Sequence, residues 1–84
     1  MQTGMVLYGR KKSGWVAMTL EKKKVILPPD GGRIRTDECV RKPGPAEKAP
    51  HPLIDDEVEF LSLEESGENL VALEWAIKSR NADL

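Results

Sequence analysis

All six prolines of this chain fall between positions 28 and 52: Pro28, Pro29, Pro43, Pro45, Pro50 and Pro52. A proline fixes its backbone angle and offers no amide donor, so helix interiors and central strands exclude it. The cluster therefore divides the chain into an ordered N-terminal block, a proline-rich connection and an ordered C-terminal block. Four of the six lie in 41–52, RKPGPAEKAPHP. That stretch reads as a long irregular surface loop, expected to be mobile and tolerant of shortening.

The flanking blocks read as strands. Met5-Val6-Leu7-Tyr8 is a short β-prone run that ends at Gly9. After the turn RKKSG comes Trp15 to Leu20, with Val16, Met18 and Leu20 on one face and Trp15, Ala17 and Thr19 on the other. Glu21 to Lys24 connects to Val25-Ile26-Leu27, which stops at Pro28-Pro29. Asp30-Gly31-Gly32 signals another turn, and Arg33 to Thr36 a brief edge strand. In the second block Glu57-Val58-Glu59-Phe60 alternates and Leu61-Ser62-Leu63 extends it, up to a polar turn at 64–69.

The segment 70–78, LVALEWAIK, pulls two ways. Its Ala, Leu, Glu and Lys content favours a helix. Its order alternates, with Val71, Leu73, Trp75 and Ile77 on one side, and Glu74 would interrupt a helical apolar stripe. The alternation predicts a strand, with 79–84 as a frayed tail. Trp75 and Phe60 are expected in the core.

A chain of 84 residues supports one core and one domain. No apolar run approaches a membrane span, and the opening MQTGMVLYG lacks a signal-peptide apolar region. The single cysteine, Cys39, excludes an internal disulfide, and with one histidine it excludes a Cys/His zinc site. No metal or cofactor is expected, and a reducing, cytoplasmic setting is the default.

The net charge of −1 argues against strong nucleic-acid binding, but it hides an asymmetry. Residues 1–48 carry eleven Lys and Arg against five Asp and Glu, whereas residues 49–84 carry two against nine. The basic groups cluster as Arg10-Lys11-Lys12, Lys22-Lys23-Lys24, Arg33 with Arg35, and Arg41-Lys42. If the halves present different faces, one side attracts phosphates; otherwise these are hydrated turn charges.

Five short strands with a long connection after the third suggest an all-β, five-stranded OB-like barrel with an enlarged proline-rich loop between strands 3 and 4. The order of residues resembles a cold-shock domain over 4–78. Gly4-Met5-Val6-Leu7-Tyr8 and Lys12-Ser13-Gly14-Trp15-Val16-Ala17-Met18 are similar to that family's opening motifs. Asp56 to Phe60, the turn Glu64-Glu65-Ser66-Gly67 and the run Val71 to Ile77 are similar to its end. The resemblance implies single-stranded RNA or DNA binding, with bases stacked on Tyr8 and Trp15 on the Trp15/Ala17/Thr19 side. Arg10, Lys11, Lys12, Lys22, Lys23, Lys24, Arg33 and Arg35 would contact phosphates.

The chain departs from the family where stacking is made. Ala17 replaces one aromatic, and Val25-Ile26-Leu27 replaces a motif containing Phe and His. Each stacked base is worth about 1–3 kcal/mol, so binding is expected to be weak. The alternative is a protein-interaction module, including a small inhibitor or assembly subunit, without nucleic-acid binding. No enzyme is expected: the sole His lies in the proline-rich loop, there is no Gly-Lys-Ser/Thr phosphate loop, and the paired carboxylates sit in turns.

Overall fold

The computed structural model describes residues 2–10, 12–36 and 39–80. Strands β1 (Gln2–Arg10), β2 (Gly14–Thr19) and β3 (Lys24–Leu27) form an antiparallel meander. A single 3-10 turn, Pro29–Gly31, leads into β4 (Gly32–Arg35) and β5 (Val40–Arg41). Two long strands, β6 (Glu57–Ser66) and β7 (Asn69–Ser79), complete the chain. No α-helix occurs among the described residues.

β1 pairs with β6, β6 with β7, and β7 runs parallel to β3, so β1-β2-β3-β7-β6 closes into an OB-like barrel. Closure removes the sheet edges that would otherwise present unpaired amides. The C-terminal half of β7 pairs in parallel with β4, and β4 carries the short β5. The enlarged connection between β3 and β6 is thus not loop throughout. It begins with the 3-10 turn and a two-stranded extension, and its longest described stretch without a strand is 42–56.

The segment 70–78 is a strand, within β7, and its helix-favouring Ala, Leu, Glu and Lys content does not prevent it. Its apolar residues bury better on a sheet that the rest of the chain already supplies. The core is Val6, Trp15, Ala17, Val25, Leu27, Val58, Phe60, Ala72 and Trp75. Trp15 and Trp75 meet edge to face at 5.7 Å. Ala17, Ala72 and Ala76 are fully buried, as a narrow barrel needs small residues where large rings cross it.

Register shifts in two ladders break the alternation that the sequence suggests. In β1, Val6 opposes Ala17 but Tyr8 opposes Val16, so Leu7 is the extra residue of a bulge. In β6–β7, Phe60 opposes Trp75 and Leu63 opposes Ala72, with irregularities on both sides of Ser62. Trp75 and Ala72 are therefore both buried although their parity differs, and Leu73 is left 43% exposed.

Trp75 also anchors the connection. Its indole nitrogen donates to the Pro28 carbonyl at 2.9 Å. Gly32 lies flat against the same ring: an added Cβ would meet two of its carbons at 3.1 Å. Part of the proline-rich stretch also packs on the barrel. Pro52 is buried and the His51 ring lies 6.0 Å from Trp15. The Arg80 guanidinium donates to the His51 carbonyl at 2.8 Å. Residues 50–52 thus cover the end of the barrel beside Trp15. Of the expected tail, Ser79 ends β7 and Arg80 is held by hydrogen bonds; 81–84 lie outside the described residues.

Candidate nucleic-acid interface

The β1 bulge decides where Tyr8 points. Strict alternation from Val6 would turn Tyr8 into the barrel, whereas the extra Leu7 turns it outward, 54% exposed. Gly9 permits the tight return that follows: an added Cβ would lie 2.4 Å from the Trp15 ring. Tyr8 opposes Val16, Val16 opposes Ile26, and Ile26 opposes Val71. These four side chains form one row across four strands on the outside of the barrel, about 15 Å long at the usual strand spacing. Met5, Met18 and Lys24 form a second row.

An open depression beside this face is lined by Tyr8, Arg10, Ser13, Val16 and Ile26. Arg10 lies two residues beyond Tyr8 on β1. Lys22 and Lys23 come from the β2–β3 connection, where Thr19 organises the turn, and Lys24 opens β3. Thr19 accepts from the Lys22 amide at 2.9 Å on its carbonyl and from the Lys23 amide at 3.2 Å on its hydroxyl. Lys22 itself adopts φ 63°.

The cations expected to contact phosphate fall into two sets. Arg33 is ion-paired with Glu74, and Arg35 with Glu59. Lys23 has a loose contact with Glu21 at 3.7 Å. Among the described residues, Arg10, Lys12, Lys22 and Lys24 have no carboxylate within ion-pair distance. Arg33 and Arg35 therefore stand apart from the Tyr8 face, on β4, with their charge compensated. Lys11 lies outside the described residues.

The expected stacking face is corrected. Trp15 and Ala17 point into the barrel, and Trp15 is only 6% exposed. The ring packs on Trp75 and is covered by His51, so it is a core residue. The opposite face of β2, carrying Val16 and Met18, is the outer one. Alternation separates the two faces of β2 but does not say which is outside, because a tryptophan in a sequence does not disclose its partner. The sequence offers no signal for Val16, Ile26 and Val71 on the outer face, since their β-branched apolar character does not separate them from core.

No protein family, curated protein or solved structure matches the chain.

Proposed function

We propose that this chain is a single-stranded nucleic-acid-binding module of cold-shock type, weak in affinity, that binds RNA or DNA across the outer face of β1–β3. The supporting observation is Tyr8 held outward at the end of an apolar row, with Arg10, which has no carboxylate within ion-pair distance among the described residues, beside it. A base has a flat face that stacks on Tyr8, and its backbone phosphates would meet Arg10, Lys12 and Lys24. One stacking ring in place of several explains why affinity is low. The reading assigns no catalytic step and no cofactor, and a reducing cytoplasmic compartment suits the free Cys39 thiol.

A second reading has its own observation: Met5, Val16, Met18, Ile26 and Val71 make the face more aliphatic than aromatic. Such a surface also suits the apolar side chains of a protein partner. Fluorescence anisotropy with labelled mixed-sequence single strands separates the two. Salt-sensitive binding that Tyr8→Ala weakens supports the nucleic-acid reading. Absence of binding at low ionic strength overturns it and leaves the protein partner.

A further inference from the structure

A second depression lies against β4 and the end of β7, with a volume of about 350 Å³. Among the described residues, the charged ones that line it are Arg33, Arg35, Lys78 and Arg80, all cations. The Ser79 side of β7 completes the wall. The carboxylate partners of these four are Glu74, Glu59, Glu57 and Asp56, and none of them lines the depression. Each pair is a dipole, and the lining residues are the positive ends of all four.

Two of the partners are deeply placed. Asp56 is 0% exposed and Glu59 4%. They hold Arg80 and Arg35 from behind, so these guanidiniums are positioned before any ligand arrives. The hydrogen bonds that Arg33, Arg35 and Arg80 make each use one terminal nitrogen. A guanidinium carries five N–H donors, so each retains donors for a further acceptor. Three forks and an ammonium around one small concavity match a tetrahedral oxyanion with several acceptor oxygens.

We propose that this depression is a phosphate-binding site, separate from the Tyr8 face and independent of the reading given for that face. Its ligand is a phosphate group, either free phosphate or the terminal phosphate of a strand. The compensating carboxylates keep the affinity modest and strongly dependent on salt.

The test is an amide NMR titration of the intact protein with inorganic phosphate at low ionic strength. Saturable shifts are expected at Arg35, Thr36, Ser79 and Arg80. The variant Arg33→Gln/Lys78→Gln spares Arg35 and Arg80, so neither buried carboxylate loses its partner. It should bind phosphate about tenfold more weakly, as expected for lost charged donors, with an otherwise unchanged spectrum. Each single variant is titrated too, so a folding defect in the double leaves two readable changes.

Two further arms identify the source. A 5′-phosphorylated oligonucleotide that binds better than its 5′-hydroxyl form, with the gain lost in the double variant, assigns a strand end. Saturation by inorganic phosphate with no such gain assigns free phosphate. Tyr8→Ala should leave the phosphate titration unchanged, so failure of the Tyr8 reading does not touch this one. The proposal is overturned if no saturable shift occurs, if chloride at equal ionic strength produces the same shifts, or if the glutamine variants bind phosphate as the parent does.

Discussion

Tyr8 sits directly across the β1–β2 ladder from Val16, whereas Val6, two residues earlier, sits across from Ala17. One extra residue, Leu7, moves the ring from the core side to the solvent side. The outer row Tyr8–Val16–Ile26–Val71 depends on that single shift in register.

The two aromatic residues of the N-terminal block should therefore respond in opposite ways to truncation. Tyr8→Ala should leave the fold nearly unchanged and weaken single-strand binding by about 1–3 kcal/mol. Trp15→Ala should cost about 3–5 kcal/mol of stability, because it empties space beside Trp75. Urea denaturation and anisotropy, run on both variants, check the pair.

Adding a ring should follow the same geometry. Val16→Phe places an aromatic beside Tyr8 on the outer face and should strengthen single-strand binding by about 1 kcal/mol or more. Ala17→Phe forces a ring into a fully buried position and should destabilise by at least about 1–3 kcal/mol. Equal tolerance of the two substitutions in thermal unfolding would contradict the assigned faces.

Glu59 is buried on the face opposite Val58 and Phe60 and depends on Arg35. Arg35→Met should destabilise by about 1–3 kcal/mol, reduced from a fully buried pair because the arginine is partly exposed. Arg35→Met combined with Glu59→Met should recover most of that loss, since no buried carboxylate is then left alone. A double-mutant cycle from denaturant midpoints measures the coupling.

The proline-rich connection should divide into a tolerant and an intolerant part. Shortening within 43–47 should change stability by under about 1 kcal/mol, as loop closure depends weakly on length. Replacing 50–52 with Gly-Ser-Gly should cost more, because it removes Pro52 from the interior and His51 from Trp15. Melting temperatures of the two variants should differ accordingly.

Within the tolerant part, the Arg41 guanidinium donates to Glu47 at 2.8 Å and holds that carboxyl below its ordinary range. A carboxyl lowered on folding stabilises above the ordinary carboxylate range. That contribution fades as pH falls through the lowered value. An NMR titration of the Glu47 side chain should give a lower midpoint in the parent than in Arg41→Gln. Equal midpoints would mean that the pair does not persist in solution.

The sequence alone determined the all-β class, the strands of both blocks, the strand at 70–78 and the irregular stretch around the prolines. It did so because alternation and proline act locally: each restricts its own few residues whatever the rest of the chain does. The same local rules could not determine which face of β2 is inside. Alternation separates Trp15 and Ala17 from Val16 and Met18, but only the closed barrel, with Trp75 arriving from β7, says which pair it encloses. Nor could they show that Tyr8 faces outward and Leu73 escapes the core, since a bulge is set by the partner strand and not by the residues that form it. The charge clusters were visible as runs, yet their roles separated only in the fold. Arg33 and Arg35 met Glu74 and Glu59 from strands 24 or more positions away. Such pairings are long-range contacts, which chain closure decides and composition cannot.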